Sequence, residues 1–370
     1  MSVRRTAVLL VLLGLAACDG RGLGTAADGG DGITLEPDLS PEFQSCDRCV
    51  EHCVCTLAGR CGMLPPKDYC ADFSTFGRWI GGHIAVDGVN RILVTDSPCE
   101  QLVRVDASGR ITVVAGGKTQ WMGFRNLPGN SVDAAGFSGL SGISIGPKGE
   151  IYIAEAGLIR VIEGALIRVL AGTVMPGFQD GPALQAGFGR PPDLALGASG
   201  EVYVADDSRI RVVKDDQVTT LAGTREPGYV DGPAELARFG TPVGVAIVGD
   251  AMYVSDNQTI RKLEGGQVTT MAGQDKSGDL FRDGPAVDAR FHGAQGLALR
   301  LGELLVADSE NGRIRALDLA TQTVRTVAGS GVARDGPLAS AGFLYPVDVT
   351  VDHDGQIYVM DSGCIRVIRP

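Results

Sequence analysis

The chain has 370 residues, a net charge of -11, 5% aromatic residues and nine cysteines. That acidic balance argues against a nucleic-acid partner, because a phosphate backbone is bound by clustered Lys and Arg that displace counterions. No segment after the N-terminus is long and apolar enough to span a membrane as a helix.

Residues 1–17 read as an export signal. Arg4 and Arg5 precede the apolar run Ala7 to Leu15, which is about half the ~20 residues that a spanning helix requires. The run ends in Leu15-Ala16-Ala17-Cys18, which resembles the lipobox of bacterial lipoproteins. The resemblance implies that Cys18 is lipidated and becomes the new N-terminus. The chain is then exported and held on the bacterial cell envelope, at the outer membrane or the periplasmic face, through the lipid alone. Residues 18–45 are rich in Gly and Asp and poor in large apolar side chains, so they form a flexible tether.

Residues 46–82 are a cysteine-rich lead-in, and residues 83–370 carry a repeat. Six β-type runs each end on an acid: Ile92 to Asp96, Ile151 to Glu155, Val202 to Asp206, Met252 to Asp256, Leu304 to Asp308 and Ile357 to Asp361. After each acid comes an aliphatic residue followed by arginine: Val103-Arg104, Ile159-Arg160, Ile210-Arg211, Ile260-Arg261, Ile314-Arg315 and Ile365-Arg366. A period of roughly 50 residues marks one supersecondary unit that must pack on its own copies. In the third copy the strands are expected at Leu194 to Leu196, Glu201 to Ala205, Ile210 to Val213 and Val218 to Ala222, with turns at Ala198-Ser199-Gly200 and Asp215-Asp216. Six four-stranded blades in a circle make an all-β, six-bladed β-propeller. The six acid and arginine pairs are expected to brace successive strands.

Between blades recur Asp180-Gly181-Pro182, Asp231-Gly232-Pro233, Asp283-Gly284-Pro285 and Asp335-Gly336-Pro337, each followed by Ala and Phe (Phe188, Phe239, Phe291, Phe343), with Phe137 in a weaker copy. Aspartate as cap and proline in the first turn predict one helical turn, with the phenylalanines packed between blades. The last repeat stops at Pro370, one strand short. Val54 to Gly59 (VCTLAG) reads like Val218 to Gly223 (VTTLAG) and is expected to supply that strand, closing the ring.

Without Cys18, eight cysteines remain: Cys46, Cys49, Cys53, Cys55, Cys61, Cys70, Cys99 and Cys364. An even number in an exported chain reads as disulfides around the seam. A metal site at Cys46, Cys49, Cys53 and Cys55 is the alternative.

Pro242-Val243-Gly244 and Pro346-Val347-Asp348, followed by YVAD-like and RIR-like strands, resemble the NHL-repeat family over roughly residues 54–370. The resemblance implies a six-bladed propeller and leaves function open, since one fold hosts unrelated activities. Aligning the repeats on their acids places His83, Gly142, Asp193, Gly244, Gly296 and Asp348 at the mouth of the central channel. His83, Asp193 and Asp348 are therefore the ligand candidates, and a divalent metal is the cofactor such a set would take. The competing reading is that the slot holds Gly or Asp for backbone reasons. The amidating lyases of this fold bind zinc with histidines one position earlier, where this chain has Gly82, Ser141, Pro192, Val243, Gln295 and Val347. Their mechanism is not expected here. His52, His292 and His353 read as structural or solvated, and no catalytic residue is assigned. Two functions stay in view: a binding scaffold that presents a propeller face to an envelope protein or glycan, and a metal-dependent hydrolase or lyase of a small substrate at the channel.

Overall fold

A computed structural model describes residues 52–59, 82–116, 131–132, 135–274 and 281–369. The expected export signal, tether and most of the lead-in, including Cys18, Cys46, Cys49, Cys61 and Cys70, lie outside the described residues. No helix among the described residues is long and apolar enough to cross a membrane.

Each repeat folds into an antiparallel sheet. In the third blade the strands are Leu194–Leu196, Val202–Asp206, Arg209–Lys214 and Gln217–Gly223, every end within one residue of expectation. The last hairpin turns on Asp215 and Asp216, both at positive φ (50° and 58°), as the type I′ geometry that suits strand twist requires. The six inner strands, Ile84–Val86, Ile143–Ile145, Leu194–Leu196, Pro242–Val248, Ala294–Arg300 and Pro346–Val351, touch one another in a closed ring. Six apolar clusters fill the six interfaces between neighbouring blades. The core is thus six thin layers, each built by two repeats, and one repeat alone could not bury its faces.

The ring closes as the sequence predicts. Cys53–Gly59 pairs antiparallel with Cys364–Arg369 and becomes the fourth strand of the sixth blade. Val54 packs toward the fifth blade, and Cys55 and Ala58 toward the first. Thr56 donates its N–H to Asp335 Oδ2 at 3.0 Å, as Thr220 does to Asp180 at 2.8 Å and Thr270 to Asp231 at 2.9 Å. The N-terminal strand therefore occupies the register of a native blade strand.

Two expectations are corrected. The Asp-Gly-Pro phrase does not cap a helix. Gly181–Pro182, Gly232–Pro233, Gly284–Pro285 and Gly336–Pro337 are two-residue strands added outside the fourth strand of blades three to six. They cover an edge that would otherwise be open. A short 3-10 turn follows at Ala183–Gln185, with no side-chain cap. The aspartate instead accepts from the blade's arginine and from the outer strand: Asp180 takes Arg211 Nη2 at 2.7 Å and Thr220 N at 2.8 Å.

The second correction concerns the brace, which is present in five blades and not in six. Glu155–Arg160, Asp206–Arg211, Asp256–Arg261, Asp308–Arg315 and Asp361–Arg366 pair at 2.7 to 3.2 Å with buried side chains. Each guanidinium also lies over the expected phenylalanine, 4.7 to 5.2 Å from the ring centre. In the first blade Val103 takes the brace position opposite Val94 while Arg104, one residue later, points to solvent. The turn Ser97–Cys99 is not the cause, since Ser309–Asn311 makes the same turn in the fifth blade, where Asp308 keeps Arg315. Asp96 is met there by Gln101 Nε2 at 3.2 Å.

Candidate functional site

The outer strands end beside the second hairpin turn of their blade, Gly223 opposite Arg209 for example, and the long connections start there. The next inner strand begins on the same side, Pro242 opposite Asp256. One face therefore collects the ends of the long connections, and the other carries the tight turns and the Gly-Pro strands with the short turns that follow them, Ala183 N–H bonding the Asp216 carbonyl at 2.8 Å.

At the loop-face end of the channel the structure brings His83, Asp193 and Asp348 together. His83 Nδ1 stands 3.2 Å from Asp348 Oδ2 and 3.7 Å from Asp193 Oδ1, and all three residues are more than nine-tenths buried. The first and third blades meet across the second because Gly142 has no side chain: a Cβ there would run into Asp193. Gly296 likewise leaves room for Asp348.

The two aspartates are tied to backbone. Asp193 Oδ2 accepts Val245 N–H of the fourth blade at 3.0 Å. Asp348 Oδ2 accepts Ile84 N–H of the first blade at 2.8 Å, and Oδ1 accepts Val349 N–H at 2.9 Å. These amides belong to inner strands, whose channel edge has no further strand to pair with, so each carboxylate joins two blades where the ladder ends. That is the backbone role for the slot that the sequence reading gave beside the ligand one.

His83 is the one slot residue that is neither Gly nor Asp. Its backbone is fixed by Thr95, whose Oγ1 accepts the His83 N–H at 2.8 Å. Burial alone would lower its pKa, but the attraction and contact of Asp348, with the charge of Asp193 behind it, outweigh burial and raise it to about 9. Asp193 is pushed up to about 7, by burial first and then by the charge of Asp348, against the pull of His83. The Nδ1 to Asp348 approach is short in distance yet makes no well-angled hydrogen bond, so His83 Nδ1 is a buried polar atom held by charge alone. Below the cluster a cavity of about 300 Å³ runs down the channel, lined by the inner strands and by Asp193 and Asp348.

Among the described residues, no group of three or more His, Cys, Asp and Glu is arranged to hold a metal ion. The row before the slot holds Ser141, whose hydroxyl donates to the Pro191 carbonyl at 2.6 Å, and Gln295, which donates to Tyr345 Oη at 3.3 Å. His52 is exposed on the closing strand's approach. The backbone N–H of His292 bonds Asp308 at 2.8 Å and that of His353 bonds Asn90 at 3.3 Å.

No protein-family model matches the chain, and no curated protein matches it. Among solved structures, a Bacteroides thetaiotaomicron protein of unknown function matches with a TM-score of 0.63 and 18% identity, over 85% of this chain and 75% of its own. An auxiliary nutrient binding protein of the same organism gives 0.59 at 13% identity, over 85% and 76%. A gluconolactonase from Xanthomonas campestris gives 0.53 at 11% identity, over 90% and 96%. Likeness at these identities shows the fold alone, and the chain is accordingly an all-β, six-bladed propeller.

Proposed function

We propose that this chain is a lipid-anchored binding scaffold of the bacterial cell envelope, with NHL-type repeats, that presents the loop face of its propeller to a protein or glycan. The observation that carries this reading is how the side chains are spent. The repeated charges serve as braces inside the blades, and the channel aspartates are committed to backbone amides. The long loops, by contrast, leave Met175, Phe178, Val230, Phe281, Val332 and Leu344 exposed on one face. Apolar side chains gathered on one face mark an interaction surface more often than scattered ones do. That one similar structure is an auxiliary nutrient binding protein agrees with a binding role.

Disulfide stapling of the seam is part of the proposal. Cys53 and Cys55 lie on the closing strand and Cys364 on its partner, while Cys99 lies in the first blade. Mass mapping without reductant is expected to find all four in disulfide-linked peptides. Finding them as free thiols would remove the staple.

The binding role is tested by replacing Met175 and Val230, or Val332 and Leu344, with serine, all exposed and none part of a brace, and capturing envelope components on the purified chain. Loss of capture with an unchanged melting transition is expected; capture retained by both replacements refutes the face. Lipidation is read from labelled palmitate, whose incorporation a Cys18→Ser chain should lose.

The second reading, metal-dependent chemistry on a small substrate, is favoured by one observation: the unsatisfied Nδ1 of His83 at the end of the cavity. About one equivalent of metal in the unchelated chain, absent from a His83→Ala, Asp348→Ala chain, would bring it forward.

A further inference from the structure

In blades three, five and six the bracing arginine turns the same edge of its guanidinium, Nε and Nη2, onto a carboxylate. Arg211 meets Asp180 Oδ1 at 3.1 and 2.7 Å, Arg315 meets Asp283 Oδ1 at 3.0 and 2.6 Å, and Arg366 meets Asp335 Oδ1 at 3.1 and 2.6 Å. Those two parallel N–H groups form a planar fork that fits a carboxylate and that lysine cannot copy.

Arg209, two residues before Arg211, has the same fork with nothing in it. Both Nε and Nη2 are buried without a hydrogen-bond partner, and the residue is only 5% exposed. Nη1 makes a long contact of 3.5 Å to the Phe178 carbonyl. The half-exposed Phe178 ring lies over the guanidinium, 5.0 Å from its carbon. The carboxylates that come closest, Asp206 and Asp180, are already taken by Arg211. Burial, and then the like charge of Arg211, both weigh against the charged form of Arg209. This position is not part of the blade's brace, because its equivalents opposite the strand-end acid are Gln101, Leu158, Thr259, Arg313 and Cys364. Arg313 is the one other cation among them, and its Nη1 donates to the Asn311 carbonyl at 2.7 Å. A buried donor pair kept without a partner calls for an unseen ion, water or ligand.

We propose that Arg209 and Phe178 form an anion site on the loop face of the third blade, and that it takes a carboxylate: the fork binds the two oxygens and Phe178 walls the apolar part of the ligand. The proposal rests on the loop-face reading and names the chemistry that face would recognise. A planar carboxylate is carried both by a free organic acid and by an acidic sugar, and the test separates the two.

The test is calorimetric titration of the purified full chain, in chloride-free buffer, with sodium acetate, sodium D-glucuronate, D-glucose and a short polyaspartate peptide. Native, Arg209→Lys and Phe178→Ala chains are compared after melting curves show each to be folded. Saturable binding of a carboxylate is expected in the native chain, weakened at least tenfold by Arg209→Lys, which keeps the charge and loses the fork. Glucose should give no signal. Equal affinity for acetate and glucuronate identifies a free acid as sufficient; tighter glucuronate, lost with Phe178→Ala, identifies the sugar. Native and Arg209→Lys chains binding alike, no saturable carboxylate binding because an ordered water fills the fork, or binding of the peptide alone would each overturn the proposal. Should Arg209→Lys not fold, the thermal shift of the native chain with each carboxylate decides, and no shift overturns it. Failure here leaves the loop-face reading standing, because that reading is tested by partner capture on Met175, Val230, Val332 and Leu344, none of which the carboxylate titration probes.

Discussion

Arg366 ties four things together: Asp361 within its blade, Asp335 in the preceding connection, the carbonyls of Gly342 and Arg334, and the face of Phe343. Replacing it with alanine strands two buried carboxylates, so Arg366→Ala is expected to cost about 3–5 kcal/mol in urea denaturation. Arg104, which reads identically in the sequence but faces solvent, should change stability by less than about 0.5 kcal/mol when replaced by alanine. A second residue-scale outcome concerns pH. His83 is raised in the folded state from 6.5 to about 9, so the native state holds its proton more tightly than the unfolded chain does. Its stabilisation is complete below about pH 6.5 and is lost as pH rises through about 9. Melting temperature should therefore fall between pH 7 and 9.5 in the native chain and fall less in a His83→Gln chain. Equal slopes would show that His83 is not charged in the cluster.

At the scale of elements, the closing strand decides whether the array is a ring. Val54 is 1% exposed and packs against the fifth blade, so Val54→Ala should cost about 2 kcal/mol. Deleting residues 53–59 should abolish the cooperative melt, since the edge of Cys364–Arg369 and two interfaces open together; an unchanged transition would refute closure. This strand was legible in the sequence because VCTLAG copies VTTLAG down to the threonine that meets the connecting aspartate. The Gly-Pro strands were not, because two residues carry no period and proline suggests a helix start as readily as an edge. The brace of the first blade was misread for a related reason. Arg104 lies one residue past the brace position, and a slip of one residue sends a side chain to the opposite face.

For the whole molecule, aligning the repeats was enough to place His83, Asp193 and Asp348 in one ring of positions. What the ring does depended on contacts between blades, such as Asp193 with Val245 and Asp348 with Ile84, which no local pattern encodes. The empty fork of Arg209 was equally hidden, because the repeat assigns Arg211 to the acid and carries no signal for an arginine two residues earlier. On the proposed reading the channel is structural and the loop face does the binding, and one comparison addresses both. Envelope components would be captured on the native chain, on a loop-face chain carrying Met175→Ser, Val230→Ser and Val332→Ser, and on a channel chain carrying His83→Gln and Asp193→Asn. Capture lost in the loop-face chain and kept in the channel chain is the expected result. Capture kept in the loop-face chain and lost in the channel chain, with both chains folded, would contradict the account and move the site into the channel.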